Sequence, residues 1–292
     1  MTKNTPKELL PPVSNPTFWI SEENKAALAR IAARSLSGQN MNVLICGPKG
    51  CGKTTMVREF AARHQRPFFE IHCGTCLDAE QWFGKDRLSN SQTHYQKARF
   101  IDALETPNTV ILLDELNRSH PEVLGAILGL LDWRRSIWND DLGYQVHVAP
   151  GVCFFATINE GEDYFGTNPL DAALRDRFSR ILEASYPPFE NEIQLLMNLG
   201  LSKSWAEKLT SFANTLRSAH LPIAISTRQL VAAGEELSDG ASFRVALETT
   251  LLNGLTDPSI RKKALEAMQW LEEDPFVETK NPSILHGSLD GT

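Results

Sequence analysis

The sequence predicts an α/β fold, a parallel sheet layered between helices, followed by a small all-helical domain. Three observations predict it. Short buried-strand runs, Met41-Asn42-Val43-Leu44-Ile45-Cys46, Thr109-Val110-Ile111-Leu112-Leu113 and Gly151-Val152-Cys153-Phe154-Phe155-Ala156-Thr157, alternate with segments of helical spacing. That alternation belongs to strands covered on both faces. The first run leads into a glycine-rich turn and then a helix, and the second delivers Asp114-Glu115 to its C-terminal end. After Pro187-Pro188 the strand-like runs stop, and from Glu190 to Glu273 apolar residues recur at helical spacing, broken at Gly200, Pro222, Gly240 and Pro258.

Taken in order, residues 1–16 are polar and proline-rich and read as an extended arm. Ser21-Glu22-Glu23 opens a helix to about Ser35, with a serine N-cap and acids in its first turn. Phe18, Trp19 and Ile20 either line an adenine pocket or pack the arm onto the domain. The first strand, 41–46, is followed by a helix from Thr54 to about His64, and Pro67–His72 reads as a second strand. From Gly74 to Arg99 the chain is polar and mixed apart from Trp82-Phe83-Gly84-Lys85, and Phe100–Leu104 reads as a short helix. Beyond Asp114, Ser119-His120-Pro121-Glu122 has the form of a capping box. Val123, Leu124, Ile127, Leu128 and Leu131 make the apolar stripe of the helix it opens. Asn139–Gly143 reads as a hairpin tip, because Tyr144, Val146 and Val148 alternate after it. Arg180–Glu183 completes a sheet of five strands. The expected domains are therefore the arm at 1–16, an α/β domain at 17–188, a helical domain at 189–273, and a polar, loosely ordered tail at 274–292.

Bulk properties exclude some classes. A net charge of −7 argues against a surface built mainly to bind nucleic acid. No apolar run is long enough to span a membrane and no signal-peptide core follows Met1, so a cytoplasmic protein is the expectation. An odd count of five cysteines argues against a disulfide framework. Cys73-Gly74-Thr75-Cys76 has the spacing of a redox pair or half a zinc site, but lacks a second Cys/His pair; buried structural thiols are the simpler reading.

Chemistry concentrates at Gly47-Pro48-Lys49-Gly50-Cys51-Gly52-Lys53-Thr54-Thr55, which fits G-x-x-x-x-G-K-[ST] between a strand and a helix. Glycines let backbone N–H groups turn inward around phosphate oxygens, and the helix N-terminus adds partial positive charge. Lys53 is suited to the β- and γ-phosphates, and Thr54 to Mg²⁺. Asp114, at a strand end, is suited to hold Mg²⁺, and Glu115 to orient and deprotonate an attacking water. Asn159 ends the neighbouring strand, either near the γ-phosphate or as a turn residue. No Asn-Lys-x-Asp guanine-reading motif follows the loop, which favours ATP.

With these motifs placed, the chain resembles the AAA+ ATPases over roughly Asn15 to Glu273, and within them the MoxR/CbbQ-like branch. Val110–Arg118 is similar to that branch's Walker B region, and Ala156-Thr157-Ile158-Asn159 to its sensor-1 strand. Gly166-Thr167-Asn168-Pro169-Leu170-Asp171-Ala172-Ala173-Leu174-Arg175-Asp176-Arg177-Phe178 resembles its helix ending in Asp-Arg-Phe, and the hairpin near Asp140 sits where the branch carries its helix-2 insert. The resemblance implies a three-layer P-loop NTPase core with a helical lid. It makes Asn159 sensor 1, Arg177 the arginine finger with Arg175 and Arg180 as competitors, and Arg228 of Ser226–Leu230 sensor 2. Surface ion pairing with Asp171, Asp176 or Glu183 is the alternative for Arg175, Arg177 and Arg180, and a surface cap is the alternative for Arg228. Trp82-Phe83-Gly84 lies where many relatives carry a substrate-gripping pore loop, with core packing the competing reading.

The implied activity is Mg²⁺-dependent ATP hydrolysis by a homo-oligomeric ring, a hexamer in this family, that remodels or activates a protein client. The branch often works with a partner carrying a von Willebrand A-type domain. A nucleic-acid-dependent motor is the first alternative, weakened by Asp140 and Asp141 at the hairpin tip; a nucleotide-gated scaffold is the second, weakened by Glu115.

Overall fold

The computed structural model describes residues 9–76, 80–89, 92–119, 121–125, 127–159, 170–219 and 225–272. The expected tail, the first half of the arm and the stretch Gly166–Pro169 lie outside these residues. The chain divides into two compact units, residues 1–191 with 222–228, and residues 192–221 with 229–292.

The first unit is built on a parallel sheet of β1 (Met41–Cys46), β2 (Phe68–His72), β5 (Val110–Asp114), β8 (Cys153–Ile158) and β9 (Arg180–Glu183), in the order β2-β5-β8-β1-β9. Side chains alternate between faces along a strand, and the two cores follow that rule. Leu44, Ile111, Leu113, Phe154, Ala156 and Ile158 face one way. They meet α4 (Arg99–Glu105), α5 (Pro121–Gly125), α6 (Leu128–Leu131) and α7 (Ala172–Asp176). Val43, Ile45, Val110, Leu112 and Phe155 face the other way, onto α1 (Glu22–Leu36) and α2 (Lys53–Arg63). The expected three layers are present. Ser21 caps α1 by accepting from the Asn24 N–H.

The segment expected to be irregular after β2 carries structure. A short helix α3 (Glu80–Phe83) and α4 flank an antiparallel hairpin of β3 (Gly84–Ser89) and β4 (Gln92–Lys97). A second hairpin, β6 (Ser136–Asn139) with β7 (Tyr144–His147), turns at the expected tip. This corrects the placing of the helix-2 insert. The hairpin that interrupts the helical connection after the second strand is β3–β4, whereas the one near Asp140 lies between α6 and β8.

A further expectation changes. The helix expected from Pro121 to Leu131 is split into α5 and α6, although its stripe of Val123, Leu124, Ile127 and Leu131 is buried as anticipated. Gly125 and Gly129 weaken a continuous helix, and a Cβ on Gly129 would stand 3.0 Å from the Ser136 carbonyl oxygen. The Ser119 hydroxyl donates to the Cys73 carbonyl (2.8 Å). The described part of the arm is anchored by Glu59, whose carboxylate accepts from Ser14 Oγ, the Asn15 N–H and Arg63 Nε, each at 2.7 Å. Burial raises that carboxyl, but these donors outweigh it and hold it below the ordinary carboxylate range.

The second unit is helical within its own boundaries. It includes α9 (Lys203–Ser218), α11 (Phe243–Thr250) and α12 (Pro258–Glu272), with most of α8 (Phe189–Asn198) and α10 (Thr227–Ser238). Leu209, Phe212, Leu216, Ala264 and Met268 are buried in it. Glu192, fully buried, takes both guanidinium nitrogens of Arg217 at 2.8 and 3.1 Å. Among the described residues, no helix is long and apolar enough to cross a membrane.

Candidate functional site

The loop from Gly47 to Gly52 joins β1 to α2 where β8 and β9 flank β1, so polar ends of neighbouring parallel strands converge beside it. Its tightness requires glycine. Gly50 has φ +73°, and a Cβ there would collide with Ser226; Gly52 has φ +95°, and a Cβ would lie 2.6 Å from the Phe18 ring. Gly52 leaves the first N–H groups of α2 without a side-chain cap, the open helix end that suits an anion. The Lys49 carbonyl accepts from Tyr186 Oη (2.9 Å), Cys51 is buried and Thr55 half-buried.

Lys53 is buried, and its ammonium donates to the carbonyls of Gly47 and Pro48 and to Asn159 Oδ1, each at 2.8 Å. Burial pushes its pKa down, opposed by the charges of Cys51, Asp114 and Glu115. All three of its protons meet neutral oxygens, so the site presents a desolvated positive charge with no directly bound carboxylate among the described residues. A phosphate fits that position.

Beside it, Thr54 Oγ1 donates to Asp114 Oδ1 (2.8 Å), and Thr157 Oγ1 donates to the same oxygen (2.6 Å). The Thr157 hydroxyl also accepts from the Glu115 N–H (2.9 Å). Glu115 has φ 53° and ψ 49°. One of its oxygens accepts from Asn159 Nδ2 at 3.3 Å, and the other lies 3.0 Å from Arg118 Nε in an ion pair whose angle does not make a hydrogen bond. Asn117 Nδ2 in turn holds the Asn159 carbonyl (2.9 Å). Asn159 thus links Lys53 to Glu115, and Asp114 links Thr54 to Thr157. The second Asp114 oxygen faces His72 Nδ1 at 3.3 Å, and Glu70 lies beyond His72, held by Arg58. Hard oxygen donors at Thr54 and Asp114 suit Mg²⁺.

The structure therefore brings together Gly47 to Thr55, Asp114, Glu115 and Asn159. The arginines are placed differently. Arg177 is half-buried at the end of α7, its NH1 donating to the Ala173 carbonyl and its Nε without a hydrogen-bond partner among the described residues. Arg175 is half-buried, and Arg180 is exposed on β9. Arg228 is exposed in the first turn of α10, two residues after Ser226, which packs on Gly50. Ile20 is buried with Cys51, Met56 and Val57, and Phe18 leans on Gly52, so the arm packs at the loop itself. Trp82 is fully buried and Phe83 nearly so, with Trp82 edge-on to Phe100 (4.9 Å between centroids); core packing is their role. Cys73 and Cys76 are buried free thiols, and burial raises Cys73 well above the ordinary thiol range, which disfavours a reactive thiolate there.

The sequence reading gave no role to Thr157, His72, Asn117 or Arg118. Thr157 had a usable signal, since it lies two residues before Asn159 and shares its strand face. His72 had none, because its contact depends on β2 lying beside β5, in register with Asp114.

Residues 42–178 match the family model described as AAA domain (dynein-related subfamily), and residues 190–269 match that described as CbbQ/NirQ/NorQ C-terminal. The chain is 37% identical over 243 residues to the protein of Thauera aromatica named "Putative chaperone BssE", covering 82% of this chain and 84% of that one. It is an AAA+ ATPase of the MoxR/CbbQ-like branch. An uncharacterized protein of Staphylococcus epidermidis (strain ATCC 12228 / FDA PCI 1200) is 29% identical over 81% of this chain and 93% of its own. Solved AAA+ structures share the fold at low identity. The Thermotoga maritima RuvB Holliday junction branch migration motor matches with TM-score 0.54 and 18% identity, over 88% of this chain and 72% of that one. The FIGL-1 AAA domain in complex with ADP matches with TM-score 0.54 and 17% identity, over 94% and 89%. AAA+ membership makes the chain an ATPase and implies that it binds nucleotide.

Proposed function

We propose that the protein is a Mg²⁺-dependent ATPase that works as a ring, a hexamer by family resemblance, and uses hydrolysis to remodel or activate a partner protein. The observation that carries the reading is the Lys53–Asn159–Glu115 chain. One amide touches both the cation suited to phosphate and the carboxylate suited to water, so a change at the γ-phosphate reaches the base directly.

Phosphoryl transfer to water needs positioning and charge stabilisation. Lys53 leaves the loop carbonyls for the β- and γ-phosphoryl oxygens. Glu115 accepts the proton of the attacking water as the new P–O bond forms and the bond between the γ-phosphorus and the β–γ bridging oxygen breaks, releasing ADP, and Asn159 orients that water. The cation, when bound by Thr54 and Asp114, neutralises phosphoryl charge. Arg177 acts in the neighbouring subunit's site, and Arg228 reports phosphate loss to the helical unit; Arg175 and Arg180 are the competitors for the finger. A chaperone-type role draws support from the name of the Thauera relative and from Asp140 and Asp141 at a hairpin tip unsuited to nucleic acid. A protein client or adaptor, including one with a von Willebrand A-type domain, is the partner this reading calls for.

Glu115→Gln tests it. Hydrolysis is expected to fall by about 10²–10⁴, the usual worth of a general base, while ATP binding persists and the ATP-loaded variant retains its client in a pull-down. Unchanged hydrolysis would show the base to be wrongly assigned. Stimulation of the wild type by DNA, falling steeply with salt, would replace the protein client with nucleic acid.

A further inference from the structure

One buried amide outside the nucleotide site joins the two elements that the reaction needs to coordinate. Asn42, 2% exposed near the start of β1, donates through Nδ2 to the Leu131 carbonyl at the end of α6 (2.6 Å) and to the Arg177 carbonyl at the end of α7 (2.7 Å). Its Oδ1 accepts from Arg135 NH1 (2.6 Å). Arg135 is the base of the β6–β7 hairpin: its carbonyl accepts from the Val148 N–H (2.8 Å), closing the strand pair. Its backbone has φ +50°, a conformation a non-glycine residue keeps only when its surroundings impose it.

Terminal helix carbonyls have no intrahelical donor, so the Asn42 amide decides where the end of α7 rests. The Arg177 side chain leaves from that same residue, held on its own helix through Ala173. A shift of the hairpin base pulls Arg135, Arg135 pulls Asn42, and Asn42 pulls the backbone that carries the finger. The hairpin's outer end bears Trp138, 58% exposed, and Tyr144, 38% exposed, side chains available to a partner.

We infer that Asn42 is a positioning residue for Arg177, and that through Asn42 and Arg135 the β6–β7 hairpin sets the reach of the finger into the neighbouring site. The inference rests on the reading of Arg177 as a finger acting in the next subunit. A finger supplies about 10³–10⁵ in rate, so a small displacement costs part of that factor.

The experiment uses full-length rings. Asn42→Ala is expected to lower kcat by about tenfold, as misplacement rather than loss, with KM for ATP and ring size unchanged. Because the fault lies in the neighbour's site, mixing in Glu115→Gln protomers, which bring intact fingers but no base, raises turnover per Asn42→Ala protomer. Glu115→Gln/Arg177→Ala protomers give no rise. Arg135→Met, which keeps both Asn42 donations, serves if Asn42→Ala does not fold, and is expected to lower kcat by about threefold with the same rescue. If Glu115→Gln rescues Arg177→Ala protomers but neither the Asn42 nor the Arg135 variant, the positioning role is overturned while the finger stands. If it rescues none of them, the finger reading falls and takes this inference with it. Unchanged kcat in both the Asn42 and Arg135 variants also overturns it.

Discussion

At Glu115 the backbone occupies the left-handed region, at φ 53° and ψ 49°, which costs a non-glycine residue about 1–3 kcal/mol. The Thr157 hydroxyl opposes that cost, accepting the Glu115 N–H while giving its single proton to Asp114. One hydroxyl thus fixes a strained backbone and one oxygen of the neighbouring acid. Thr157→Val keeps the shape and removes both bonds. Its kcat is expected to fall at least about tenfold with KM for ATP little changed, because what is lost is alignment rather than ground-state binding. Thr157→Ser should restore most of the rate in the same steady-state assay. Recovery by Ser would show that the hydroxyl carries the effect; equal losses in Val and Ser would mean that the hydroxyl alone does not carry it. The acids themselves were legible because four apolar residues, Val110 to Leu113, followed by Asp114-Glu115 make a local pattern. Thr157 was legible only in part, and His72 and Arg118 not at all, since their contacts come from register and from a turn that only the fold specifies.

Elements were readable where one face had to be dry. The central strands, α1, α2 and the stripe through Val123 and Leu131 all announce themselves by burial. The β3–β4 hairpin does not, because Lys85-Asp86-Arg87 and Thr93 to Lys97 offer no alternation of apolar and polar faces. Trp82 and Phe83 drew attention for the opposite reason, as aromatic residues in a polar stretch. They are the root of the hairpin: Trp82 packs against Phe100 of α4, and Tyr95 Oη on β4 donates to the Phe83 carbonyl (2.8 Å). Leu88, 77% exposed, is instead the apolar residue this hairpin presents. Trp82→Ala is therefore expected to cost about 3–5 kcal/mol as a core truncation, and Leu88→Ser to stay within about 0.5 kcal/mol, both by chemical denaturation. A Trp82 variant of wild-type stability that failed only in client-stimulated hydrolysis would return the pore-loop role to it.

Across the first unit, the two ends of the sheet are treated in opposite ways. At the C-terminal ends, charge is left with exchangeable partners: Lys53 rests on loop carbonyls, and Glu115 on Asn159 and Arg118. At the N-terminal ends, charge is sealed in. Arg66, 2% exposed, donates through Nε to the Asn108 carbonyl (2.6 Å), through NH1 to Ser35 Oγ (2.6 Å), and through NH2 to the Gly151 carbonyl. Its guanidinium lies over the Phe60 ring at 5.6 Å. These partners close α1 and lead into β5 and β8, so one side chain gathers three segments distant in sequence. Among the described residues no carboxylate pairs with it; neutral oxygens, the Cys153 sulfur (3.5 Å from NH1) and the Phe60 ring solvate the charge, which motif reading cannot anticipate. Removing it orphans three buried acceptors, each worth about 1–3 kcal/mol. Arg66→Met, which keeps the apolar stem, is expected to lose about 3–5 kcal/mol and to melt roughly 10 °C lower. Below the melt its KM for ATP should match the wild type, because the damage lies at the end of the strands away from the phosphate loop. A wild-type melting temperature would mean that water replaces the guanidinium at these acceptors; a raised KM with unchanged melting would mean that the two ends of the sheet are coupled.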